Sequence, residues 1–87
     1  MGLDTVELVI SVEKIFAIEL SDEVAARLLT VGDLHEFVVA ELIRRQRPDV
    51  NRDIVYDLLR NIICMQLGVA PEQVTPGARF VQDLHAD

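Results

Sequence analysis

Apolar residues in this chain recur at three- and four-residue spacing over long stretches, and that period commits most of it to amphipathic helices. Over Leu3 to Phe16 the polar positions Asp4, Glu7, Ser11 and Lys14 fall on one stripe. Leu8, Val9, Val12, Ile15 and Phe16 fall on the opposite side and are expected to face a core, with Val6, Ile10 and Glu13 at the rim between them. A short helix is expected from Asp22 to Leu28, with Ser21 as its N-cap. Another begins after Thr30, where Thr30-Val31-Gly32-Asp33 approximates a capping box with Asp in the Glu position. Its apolar stripe is Leu34, Phe37, Val38 and Leu42, Arg44 and Arg45 suit its negative C-terminal end, and Pro48 forbids simple continuation. Asn51 caps a last helix from Arg52 to Leu67, whose buried face is Val55, Leu58, Leu59, Ile62 and Ile63, and Gly68 stands where a C-terminal cap belongs. Residues Val69 to Asp87 hold Pro71, Pro76 and Gly77 and read as an ordered loop pinned by Val74, Phe80, Val81 and Leu84. No strand alternation and no internal repeat interrupts this pattern, so the expected fold is an all-α bundle with one long loop.

Eighty-seven residues suffice for one core and not for two. Hydrophobic residues make up 51% of the chain, enough to fill that core, and with few aromatics the filling is mostly Leu, Ile and Val. No apolar run reaches the roughly 20 residues of a membrane span, and the N-terminus lacks the pattern of a secretory signal, so a cytoplasmic protein is expected. A net charge of -7 and a pI near 4.6 disfavour nucleic acid and anionic membrane and favour partners with basic patches. The single Cys64 has no disulfide partner and no metal-ligand companion at useful spacing, and reads as a small core hydrophobe.

Two stretches carry a family resemblance. Leu3-Asp4-Thr5-Val6-Glu7-Leu8-Val9 resembles the opening of the recognition helix of acyl carrier proteins. Gln66-Leu67-Gly68-Val69, followed by Val74-Thr75 and Phe80-Val81-Gln82-Asp83-Leu84, resembles the end of that family's first helix and its long loop. Taken whole, Leu3 to Val39 is similar to helices two to four, and Val55 to Asp87 to helix one and the loop, so the two blocks stand in exchanged order. The resemblance therefore implies a circularly permuted, four-helix carrier-like domain: 1–46 for helices two to four, 47–51 as linker, 52–87 for helix one and loop. Bundles accept such a rearrangement because every helix keeps its packing neighbours. A monomer is expected, with a domain-swapped dimer as the alternative. The residues flanking the cut, Leu84 to Asp87 and the first turn after Met1, are expected to fray.

In the family the loop ends Asp-Ser-Leu, and that serine bears the 4′-phosphopantetheine arm. Here Asp87 ends the pattern, Met1-Gly2-Leu3 resumes it, and Gly2 occupies the expected attachment position. The serines are Ser11 and Ser21, neither in that motif, and Thr5 lies a full turn too late and on the core side. No cofactor and no enzymatic activity are therefore expected. What the resemblance does preserve is the docking surface for basic-patched synthases and transferases of fatty-acid or polyketide-type assembly: Asp4, Val6, Glu7, Ile10 and Glu13, bordered by Asp83 and Asp87. Lys14 departs from the acidic pattern. The expected function is a non-catalytic interaction or regulatory module. The alternative is a working carrier whose serine is lost to the chain boundary or supplied outside it. His85 with Asp83 and Asp87 is a poor metal or acid–base set, His35 reads as a surface residue, and Arg44-Arg45-Gln46-Arg47 as helix-dipole compensation.

Overall fold

The computed structural model describes residues 3–47 and 50–86. Four α-helices follow in order: α1 (Leu3–Phe16), α2 (Asp22–Ala25), α3 (Val31–Arg44) and α4 (Arg52–Leu67), then a 3-10 turn at Pro71–Gln73. The fold is all-α, and among the described residues the one strand-like contact is an isolated bridge between Thr30 and Arg79.

The helix ends follow their capping chemistry. The Ser21 hydroxyl accepts from the Val24 amide, and Asn51 Oδ1 accepts from Asp53 and Ile54. Thr30 and Asp33 form a reciprocal box: Thr30 Oγ1 takes the Asp33 amide, and Asp33 Oδ2 takes the amides of Thr30 and Leu29. Gly68 closes α4 in the left-handed region at φ 67, where a side chain is disfavoured. Helix α2 stops at Ala25 rather than Leu28. Its next turn tightens, with Arg27 and Leu28 donating to carbonyls three residues back instead of four. Gln46 (φ 56) ends α3 in a Schellman arrangement, Arg47 N to Leu42 O and Gln46 N to Ile43 O. Ala17 (φ 53) lets Ile18 N return to Glu13 O at the end of α1. Pro48, expected to separate α3 from α4, lies outside the described residues.

Helix α4 packs against both α1 and α3. Val12, Leu59, Ile63, Val31 and Val38 have no exposed surface. On each helix they stand within the stripe that period 3.6 selects, which is why the pattern buries them together. The long loop completes the core rather than skirting it, since Val74, Ala78, Phe80, Leu84 and Ala86 are buried. The Cα radius of gyration is 12.0 Å, and a chain of this length packed as one domain has about 12 Å, so the loop adds no protrusion. The edges of the stripes differ from expectation. Ile15 is 57%, Leu58 42% and Val81 63% exposed. Each adjoins a buried neighbour, Phe16, Leu59 or Phe80, and lies at the edge of the buried set. The fraying expected at the end of the loop is also corrected for Leu84 and Ala86: both are buried, and Ala86 N donates to Phe80 O at 2.8 Å.

The loop is fixed by the start of α3. Its first amides have no partner within the helix. Here Val31 N donates to Ala78 O at 3.0 Å and Gly32 N to Pro76 O at 2.8 Å, while Phe80 N returns to Leu29 O at 3.0 Å. Gly32 is required for this approach: a Cβ there would stand 2.9 Å from the Pro76 carbonyl oxygen. The other end of α3 reaches across to α1. The Arg47 guanidinium donates to Ala17 O at 3.0 Å and Phe16 O at 3.4 Å, covering carbonyls that α1 leaves unpaired.

Candidate functional site

The outer face of α1 is acidic with apolar residues set into it. Glu7 is exposed, Asp4 half-buried, and Val6 and Ile10, one turn apart, keep 41% and 43% of their surface in water. Val6 and Ile10 are thus exposed apolar residues set beside the carboxylates of Asp4 and Glu7. Glu13, expected on this face, is half-buried, and its Oε2 accepts the Leu20 amide at 2.9 Å. It caps the turn between α1 and α2, so its charge is partly committed within the chain. Lys14 is exposed beside it.

Ser11, placed by periodicity on the polar stripe, faces α4 instead, where its hydroxyl accepts from Gln66 Nε2 at 3.0 Å. With Ser21 acting as a cap, both serines have structural partners. Thr5 points inward, as expected, and lines an apolar cavity with Leu8, Val12, Leu20, Leu28 and Phe80. The cavity is about 30 Å³, space for about one water molecule. Gly2 and Asp87, the expected attachment position and a bordering acid, lie outside the described residues.

Asp83 is exposed, but it is engaged by Arg79, a residue that sequence reading passed over. Arg79 Nε reaches Oδ2 at 3.1 Å, Nη2 reaches Oδ1 at 3.3 Å, and the Arg79 amide donates to Oδ2 at 2.8 Å. The guanidinium first, and then the amide, hold the Asp83 carboxyl below its ordinary range. The i, i+4 spacing of an Arg and an Asp was the available signal, hidden because the segment is not a helix.

His35 is half-buried at the surface. Its Nε2 lies 2.8 Å from Arg52 O, and a carbonyl only accepts, so this nitrogen carries the proton. Its ring meets Tyr56 edge to face at 5.2 Å, and the Tyr56 hydroxyl donates to Val74 O at 2.9 Å. Together with Asp53, Asp57 and Pro76 these rings line an open groove between α3, the first turns of α4 and the loop. Arg44 and Arg45 both close on Glu41. Among the described residues no group of His, Cys, Asp and Glu is arranged to hold a metal ion, and no helix is long and apolar enough to cross a membrane.

A small acidic helical bundle with exposed apolar residues among the acids of α1 is the class that the geometry defines. Comparison with known proteins narrows it. Of 38 curated proteins that match, one is an acyl carrier protein of Prochlorococcus marinus (strain MIT 9515), 51% identical over 40 residues. Those residues are 46% of this chain and 50% of the relative, so the chain spans about half the length of the curated protein it matches. No protein-family profile matches the chain, and no solved structure matches it.

Proposed function

We propose that this chain is a carrier-protein-like domain in which the order of the helices is exchanged, acting as a non-catalytic docking or regulatory module in fatty-acid or polyketide-type assembly. Residues 52–87 take the part of the family's first helix and loop, and residues 1–46 the part of its other helices. The observation that carries the reading is the 40-residue match, half of each chain, beside a bundle in which both blocks contribute to one core. An alignment that runs in one direction admits only one of two exchanged blocks. Further support is that Thr5, near the start of α1, and Phe80, in the loop, line the same cavity. In a carrier these positions flank the attachment point, where Gly2 offers no hydroxyl.

The partners on this reading are basic-patched synthases and transferases, met by Asp4, Val6, Glu7 and Ile10, with Glu13, Asp83 and Asp87 at the margin. The clean test is Glu7→Lys, because Glu7 is exposed and its carboxylate has no hydrogen-bond or ion-pair partner among the described residues, whereas reversing Glu13 also removes the Leu20 cap. Binding to a carrier-dependent synthase, measured by titration calorimetry, weakens at least about ten-fold, the effect of losing about 1.4 kcal/mol. Equal affinity would sink the docking reading.

A second reading is favoured by the half-length match alone: a working carrier whose attachment serine lies outside this chain. Intact mass after incubation with a promiscuous phosphopantetheinyl transferase and coenzyme A separates the two. An unchanged mass agrees with the docking module, and a gain of one phosphopantetheine group restores the carrier.

A further inference from the structure

The outer face of α1 changes sign along its length. In the first half of the helix the charges are carboxylates, Asp4 and Glu7. In the second half the one carboxylate, Glu13, is half-buried and folded back onto the Leu20 amide at 2.9 Å, which leaves Lys14 as the exposed charge. Lys14 enters no ion pair among the described residues. Glu7 and Lys14 stand seven positions apart, close to two full turns, so they lie on one line along the helix with their backbones about 10 Å apart. Ile10, 43% exposed, is the helical neighbour of both, three positions after Glu7 and four before Lys14. Past Lys14 the same end of α1 carries a second cation, the Arg47 guanidinium on the carbonyls of Phe16 and Ala17. The other carboxylates toward this end are engaged elsewhere: Glu41 closes on Arg44 and Arg45, and Glu19 lies in the field of Arg44.

We infer that α1 fits a partner site of mixed charge: a basic group against Asp4 and Glu7, an apolar contact over Val6 and Ile10, and a carboxylate facing Lys14 about 10 Å further along the helix. This fit presupposes the docking reading of α1 and narrows it, because it makes Lys14 the residue that selects among partners. Against a site that is basic throughout, the Lys14 ammonium meets like charge. Against a carboxylate it forms an ion pair and fixes the register of the helix on its partner. Charges placed in this way discriminate mainly by repelling the wrong site. A cation in the last turn also suits the negative end of the helix, a local role that leaves the ammonium in water and free to meet a partner.

The test titrates the intact chain, Glu7→Lys, Lys14→Gln and Lys14→Glu against a carrier-dependent synthase whose carrier site is basic throughout. Lys14→Glu binds about three- to five-fold tighter than the intact chain, the scale of one exposed charge pair, with Lys14→Gln between them, while Glu7→Lys binds more weakly. The synthase is then altered one position at a time, Lys or Arg to Glu, across its carrier site. One such variant binds the intact chain more tightly than the unaltered synthase does, and binds Lys14→Glu more weakly. The mixed-charge fit is overturned if Lys14→Glu gains no affinity for the unaltered synthase, or if no altered synthase reverses the preference. Where Glu7→Lys is weakened in the same titrations, either result leaves the docking reading standing. Where Glu7→Lys binds as the intact chain does, the docking reading falls and the mixed-charge fit falls with it.

Discussion

The helical framework and the loop of residues 69–86 bury the same kinds of side chain but are held by different means. In α3 and α4, the backbone ladder and the apolar stripe reinforce each other, so Leu59 and Ile63 are fixed by the period that forms the helix. The loop has no ladder. Its buried residues are held in register by carbonyls laid over the first amides of α3 and by the exposed Arg79–Asp83 pair. A segment without regular structure thus shares the core, on polar contacts that are individually small. The framework should therefore lose stability as a unit when damaged, while the loop should open alone.

The largest effect that sharpens this contrast is Leu59→Ala, expected to lower unfolding free energy by about 2–5 kcal/mol in urea titration. Its sequence neighbour, Leu58→Ala, exposed in the fold, costs less than about 0.5 kcal/mol. Next is Gly32→Ala. The added Cβ meets the Pro76 carbonyl oxygen at 2.9 Å, and the overpacking costs about 1–3 kcal/mol, with faster exchange at residues 77–80 as the local signature. Thr30→Ala removes the hydroxyl that holds the Asp33 amide and costs about 1 kcal/mol, read as a fall in melting temperature. The smallest is acid. The Asp83 carboxyl lies below its ordinary 3.8 through the Arg79 guanidinium and amide, with His85 nearby. A depressed carboxyl contributes stability above its unfolded value and loses it as pH falls through the folded one. Its carbon-13 shift therefore titrates with a midpoint below 3.8, and moves upward in Arg79→Gln; a midpoint at the ordinary value would show that the pair does not form.

Most of the framework was legible in the sequence because capping and periodicity are local. Ser21, Thr30, Asn51 and Gly68 cap where their residue types dictate, and Val12, Val38, Leu59 and Ile63 are buried where the stripes place them. What escaped was decided by distant neighbours. Ser11 faces inward because Gln66, far along the chain, meets it, and Arg47 serves α1 rather than its own helix. Ile15 and Leu58 stand at stripe edges, where the helical period alone does not choose between core and water. Of the acids expected to dock a partner, Glu7 is exposed, whereas Glu13 and Asp83 have internal partners. A carboxylate that caps a turn and one that waits for a partner look the same in sequence.

The bond from the Tyr56 hydroxyl to Val74 has an optical consequence. The chain contains one tyrosine and no tryptophan, and that tyrosine sits where the loop begins its path across the bundle, with burial raising its phenol above the ordinary 10.0. Its ultraviolet emission and its alkaline absorbance change are therefore single-site signals, unlabelled and free of background from other aromatics of that class. Loop docking at α4 can be followed in real time by light alone, apart from the melting of the helices.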